Sequence, residues 1–121
     1  MEKENGLKIS ATAAKRKFLA TDRWKRRILS EKKCTESMAD SIVSRVIALT
    51  DYMQYGHAII AFYKQNGSFQ LVTGTLISYQ QEFHQAYDVE QVRYTFIFWC
   101  LEEKGWRSFQ LENFLAWKPI V

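Results

Sequence analysis

Seven basic side chains fall within thirteen consecutive positions: Lys15, Arg16, Lys17, Arg23, Lys25, Arg26 and Arg27. Phe18 and Trp24 lie among them. Ammonium and guanidinium groups neutralise phosphates, and an aromatic ring can stack on a base. This combination suits contact with a DNA or RNA backbone, an interaction that is electrostatic and tolerant of sequence. The same pattern also fits the solvated face of a helix. A helix lying on a membrane surface is a third reading, disfavoured because the apolar face is narrow.

A second candidate lies near the C-terminus, in Gly105–Trp106–Arg107–Ser108–Phe109. If this run is a strand, Arg107 and Phe109 share one face while Trp106 and Ser108 share the other. A guanidinium flanked by aromatics can hold a phosphate or carboxylate and stack on a base. It can equally brace the fold by pairing with Glu102, Glu103 or Glu112. Arg93, with Tyr63, Tyr94 and Trp99, offers a further aromatic and basic surface on the strands. Strand aromatics more often fill a core, and Trp106, beside a turn glycine, is expected to close one end of it.

Catalytic chemistry finds little support. His57 and His84 have no Cys, Asp or second His at the spacing of a metal site or a catalytic triad. The five glycines are isolated, so no phosphate-cradling loop is present. No enzyme activity, cofactor or metal is expected. Cys34 and Cys100 stand 66 positions apart without a second pair, which predicts reduced thiols in a cytoplasmic protein. No apolar run approaches the roughly 20 residues needed to cross a bilayer.

Charge divides the chain. Residues 1–33 hold eleven Lys/Arg against four Asp/Glu, a net of +7, whereas residues 34–121 hold six against nine, a net of −3. A basic extension on a mildly acidic domain asks for an anionic partner.

The elements that position these residues follow from periodicity. Residues 1–9 are polar and expected to be loose. Ser10 can cap a helix over Ala11–Leu19, and Thr21 or Asp22 can start a second one in which Trp24 and Ile28 share a face with Leu29 beside them. A third helix, capped by Thr35 or Ser37, carries the stripe Met38, Ile42, Val46, Leu49 and Met53, widened by Val43 and Ile47. Gly56 is expected to close it.

The period then changes to two. Strands are expected over His57–Lys64 and Phe69–Ile77, joined at Asn66–Gly67, with Gly74 marking a bend. After a long connection over 78–91, further strands cover Val92–Leu101, Gly105–Leu111 and Leu115–Ile120, the last two separated by a helical turn at Glu112–Phe114. Five short strands in a meander describe a small SH3-like or Sm-like β-barrel, making the chain α+β. The expected divisions are a basic helical extension at 1–34, a packing helix at 35–56 and the barrel at 57–121. A fragment starting near Thr35 is expected to fold alone.

Several pieces in this order resemble a known family. They are Ala61–Phe62–Tyr63–Lys64 before Asn66–Gly67, Thr73–Gly74–Thr75–Leu76, Val92–Arg93–Tyr94, and Gly105–Trp106–Arg107–Ser108–Phe109 with Leu111–Glu112–Asn113. Over residues 56–120 the chain resembles the WYL-related, Sm-like SH3-type β-barrel family, small bacterial proteins of Bacteroidetes and their mobile elements. The resemblance implies the barrel, and a regulatory or accessory role by analogy with larger WYL-domain relatives. Their Trp-Tyr-Leu run is absent here, so no ligand site is carried over.

Two functions stand side by side. One is a non-enzymatic regulatory or accessory protein that binds nucleic acid through the basic helices. The other is an adaptor whose exposed aromatics or open strand edge take a protein partner or a second copy. Steep salt dependence would mark the first.

Overall fold

The computed structural model describes residues 2–120, with side chains described from Thr12 onward. The chain begins with one helix, α1 (Glu2–Glu31), where the sequence predicts a loose start and two shorter helices. Thr21 and Asp22 do not break it. Thr21 Oγ1 donates to the Phe18 carbonyl at 3.0 Å, and Asp22 pairs with Arg26 one turn on, also at 3.0 Å. Both bonds are satisfied within a continuous helix, so neither residue is forced into a cap. Ser10 lies inside α1, and the side chain expected to cap is outside the described ones.

Ala20, Trp24 and Ile28 recur every four residues and are all buried. α2 (Glu36–Met53) follows a short loop, with Thr35 Oγ1 accepting from the Met38 N–H at 3.2 Å. Its buried side is Ala39, Ile42, Val43, Val46, Leu49, Thr50 and Met53. Met38, expected on that stripe, is exposed in the first turn, and Ala39 begins the packed face instead. The helix ends at Met53 without a left-handed glycine. Gly56 serves a different need: a Cβ there would meet the Tyr52 ring at 3.0 Å.

The strands are β1 (Ala58–Tyr63), β2 (Phe69–Thr75), β3 (Thr95–Cys100), β4 (Gly105–Gln110) and β5 (Phe114–Pro119). The connection after β2 contains a short helix, α3 (Tyr79–Phe83), and a 3-10 turn at Val89–Gln91. A second 3-10 turn, Leu111–Asn113, leads into β5. The sheet is antiparallel in the order β4-β3-β2-β1-β5. β4 and β5 are its two edges, so hydrogen bonds do not close it into a barrel.

Turn chemistry sets the register. The Lys64 N–H donates to the Ser68 carbonyl and the Gly67 N–H to the Lys64 carbonyl, both at 2.9 Å. Only Gly67 takes positive φ, +87°, while Asn66 Oδ1 accepts from the Ser68 N–H at 3.0 Å. This is a type I turn closed by a left-handed glycine. In the β3–β4 turn the positive φ falls on Lys104, at 52°, rather than on Gly105.

At Gly74, β2 changes neighbours, facing Ala58 of β1 on one side and Cys100 of β3 on the other. An added Cβ would come within 2.7 Å of Ile60 Cδ1 and of Phe98 Cδ2. Only glycine allows the two halves of the sheet to approach so closely.

The inward face is aromatic. Phe109 lies 5.6 Å from both Phe96 and Phe62 and 5.7 Å from Phe114. Val46, Leu49 and Met53 of α2 join the same core. So does α1: Trp24 packs edge-on to Phe96 at 5.7 Å, and its Nε1 donates to the Val92 carbonyl at 3.0 Å. The loop between α1 and α2 marks the charge boundary seen in the sequence, but the core extends across it. The expectation that a fragment from Thr35 keeps its fold therefore meets a physical objection, because that fragment lacks Ala20, Trp24 and Ile28.

Candidate functional site

The basic residues of α1 lie beside acidic groups of the same chain. Arg16 pairs with Asp88 and Glu90, both at 3.2 Å. Arg23 donates to the carbonyls of Glu90 and Val92 at 3.2 and 3.1 Å, closing the loop before β3 onto α1. Lys25 reaches Asp40 at 3.2 Å and Glu36 at 3.7 Å on α2. The hydrogen bond to Asp40 leads the effects that raise the Lys25 ammonium above its ordinary pKa.

Arg27 forms a forked contact with Glu112, Nε to Oε1 at 3.3 Å and a terminal nitrogen to Oε2 at 3.0 Å. Its guanidinium also sits 4.7 Å from the Tyr94 ring centre. The Glu112 hydrogen bond is the main cause that raises its pKa. Arg26 stays on α1 with Asp22. Lys15 and Lys17 are exposed and without an ion pair among the described residues.

The charge asymmetry thus has an internal answer: much of the anionic partner for α1 is supplied by α2, the loop before β3 and the turn before β5. Replacing Arg16 and Arg27 together by Gln is expected to lower the melting temperature by a few degrees, more at low salt than at high salt. An unchanged melting temperature at low salt would show that these cations are merely solvated.

The strand candidates separate. Arg93 is exposed and makes no ion pair among the described residues. Tyr94 sits beneath Arg27, and Trp99 packs edge-on to Trp106 at 5.6 Å. Tyr63 packs against Phe69 at 6.0 Å. These contacts do not join them into one stacking platform.

Arg107 pairs with Glu103 through Nε and donates from a terminal nitrogen to the Trp106 carbonyl at 3.0 Å. Of the three expected acidic partners, Glu103 is the one used. Trp106 is only partly buried, packing against the margin of the core rather than within it. It lies half-buried on the outer face, packed edge-on to Phe83 at 5.0 Å and to Tyr79 at 6.2 Å.

Three features were not read from the sequence. Tyr79, Phe83 and Tyr87 form an aromatic cluster over Trp106, and Tyr87 is buried enough that its hydroxyl is pushed well above the usual phenol range. Glu102, expected from the sequence as a candidate partner of Arg107, instead holds Thr73 of β2. Its carboxylate accepts from the Thr73 N–H at 2.8 and 3.0 Å and from Thr73 Oγ1 at 2.7 Å. Burial pushes this carboxyl up, but the Thr73 bonds outweigh burial and hold it below its ordinary value. The stabilisation it gives is complete above the unfolded-state carboxylate range and disappears as pH falls through the lowered folded value. Thr73→Val is accordingly expected to flatten part of the fall in melting temperature between pH 6 and pH 3. A wild-type acid limb retained in the variant would contradict this.

The third feature is the outer face of the β1–β2 hairpin. In register, Ile59 faces Thr73, Ala61 faces Leu71 and Tyr63 faces Phe69. Ile59, Tyr63, Phe69 and Leu71 are 38, 42, 54 and 62% exposed. Strict alternation in β1 and β2 was the available signal, since every second apolar residue must point away from the core.

Beside this face, a groove of about 490 Å³ runs between the hairpin tip and β4, lined by Tyr63–Gln65, Ile97, Trp106–Gln110 and Asn113. His57 is exposed just before β1, and His84 takes a left-handed conformation after α3. Among the described residues, no three His, Cys, Asp or Glu stand together as a metal site, and no helix is long and apolar enough to cross a membrane.

No curated protein and no solved structure gave a match to the chain. A family model did, that of WYL_2, described as an Sm-like SH3 β-barrel fold, over residues 46–115. That span runs from the middle of α2, through every strand up to the turn before β5, and into β5 itself. With more than half of its residues matched, this chain belongs to the WYL_2 family of Sm-like SH3 β-barrel proteins.

Proposed function

We propose that this protein is a non-enzymatic regulatory or accessory module that acts by binding another protein through the outer face of its β1–β2 hairpin. The observation that carries this reading is the row Ile59, Tyr63, Phe69 and Leu71, apolar side chains held side by side on one exposed surface. Contiguous apolar surface of this kind marks interaction sites far more often than single exposed side chains do. The two unbridged cysteines, Cys34 and Cys100, support a reducing compartment such as the cytoplasm. A bacterial or mobile-element setting belongs to the same proposal and rests on the resemblance alone.

The test is a comparison of the untagged full-length protein with Phe69→Glu/Leu71→Glu. Both side chains point to solvent, so the variant should melt within a few degrees of wild type. The expected result is one polypeptide that co-purifies with wild type, stays bound in 0.5 M salt and is lost from the variant. Retention of the same polypeptide by the variant would overturn the reading.

Nucleic-acid binding by α1 is the second reading. It is favoured by Lys15 and Lys17, which make no ion pair among the described residues, beside Phe18, which is 68% exposed. Its mark would be oligonucleotide binding that weakens steeply with salt and loses slope in Lys15→Gln/Lys17→Gln.

A further inference from the structure

The free edge of β4 borders the groove. Leu111 N–H donates to the Tyr94 carbonyl, and the ladder continues with Phe109 opposite Phe96 and Arg107 opposite Phe98. Alternate residues of an antiparallel edge strand turn their peptide groups away from the partner. On β4 these are Trp106, Ser108 and Gln110. The Trp106 carbonyl is taken by the Arg107 guanidinium, which therefore marks one end of the open stretch. The 3-10 turn at Leu111–Asn113 marks the other. Between them, both peptide groups of Ser108 and the N–H of Gln110 face the groove with no strand beside them among the described residues, the Gln110 carbonyl being the first acceptor of the 3-10 turn.

The charge in this groove is one-sided. Lys64 and Arg107 line it, and no Asp or Glu does. Lys64 has no ion pair among the described residues, and the Arg107 counter-ion, Glu103, is not part of the lining. Tyr63 and Phe109 supply apolar wall, while Gln65 and Asn113 add polar groups. Paired donors and acceptors at a two-residue repeat match an extended peptide backbone, which a phosphodiester chain lacks.

We propose that this groove binds an extended acidic peptide segment of a partner, which adds as a strand along β4. Its backbone pairs with the N–H and carbonyl of Ser108 and with the N–H of Gln110, and its carboxylates meet Lys64 and Arg107. The inference rests on the protein-binding reading and names the chemistry of the partner. Because Tyr63 belongs both to the groove and to the apolar hairpin face, one partner chain can cover the two.

The experiment uses full-length protein and fluorescein-labelled heptapeptides of alternating Glu and Val or alternating Lys and Val, with an oligothymidylate of equal charge as control. The Glu peptide is expected to bind with chemical-shift changes confined to residues 63–65 and 106–113. Lys64→Glu/Arg107→Glu should weaken it at least tenfold and transfer binding to the Lys peptide. Ser108→Pro removes one outward N–H and should also weaken the Glu peptide. If that variant misfolds, amide exchange at Ser108 and Gln110, slowed by the peptide in wild type, gives the same information.

No Glu-peptide binding at millimolar concentration, binding indifferent to charge reversal, or tighter binding of the oligothymidylate at the same residues would each overturn the proposal. Unprotected Ser108 and Gln110 amides in the complex would overturn strand addition. Failure here, with Phe69→Glu/Leu71→Glu still losing its partner, would leave the hairpin face as the protein-binding surface.

Discussion

Trp24→Ala is expected to cost about 3–5 kcal/mol of folding stability, the range for removing a buried large aromatic. Trp24 is 1% exposed, although it sits in the most basic stretch of the chain. Its ring closes on Phe96, and its indole N–H satisfies the Val92 carbonyl at the entry to β3. The substitution removes the ring, opens a cavity and leaves that carbonyl without its partner. Urea denaturation of the full-length protein measures this directly. A loss below about 1 kcal/mol would mean that α1 only rests on the sheet.

The second large effect is expected at the opposite side of the core. Gly74→Val should destabilise by about 3 kcal/mol, the upper end of the range for overpacking. Even the first added carbon meets Ile60 and Phe98 at 2.7 Å, and both are fully buried. Ile60 can give by rotating its terminal methyl, whereas the Phe98 ring is held by Phe62 and Phe109. Gly74→Ala should show a smaller loss in the same direction. Equal stability of Gly74→Ala and wild type would imply that β1 and β3 can move apart at this point.

Much of the fold was legible because local signals agreed with the final packing. The change from a period near four to a period of two at Gly56 and the Asn66–Gly67 turn each specify one geometry. Of the family-like pieces, Ala61–Tyr63, Thr73–Thr75 and Gly105–Phe109 lie on β1, β2 and β4, Val92–Tyr94 lead into β3, and Leu111–Asn113 form the 3-10 turn before β5. What the sequence misplaced depended on distant contacts. Thr21 and Asp22 look like helix caps until Thr21 is seen to bond back within the helix and Asp22 to hold Arg26. Trp24 reads equally well as a stacking group among cations or as an anchor, and only the position of Phe96 decides. Trp106 reads as core until α3 is folded over the outside of the sheet.

The candidate site was less legible than the fold for the same reason. A run of Lys and Arg carries no record of where Asp88, Glu90 and Glu112 will lie, more than 60 positions away. Those acids turn Arg16 and Arg27 from candidate phosphate contacts into ties between α1 and the sheet. Conversely, Phe69 and Leu71 read as ordinary strand residues, and their exposure follows only once the register with Tyr63 and Ala61 is fixed.

The second half of the basic helix belongs to the core through Ala20, Trp24 and Ile28. Native-state amide hydrogen exchange on the full-length protein tests it most directly. Amides around Trp24 and Ile28 should be protected to the same degree as those of α2 and β3, and should open with them in a single cooperative step. Exchange of these α1 amides at the rate of an isolated helix, while α2 and β3 stay protected, would show that α1 is not part of the core.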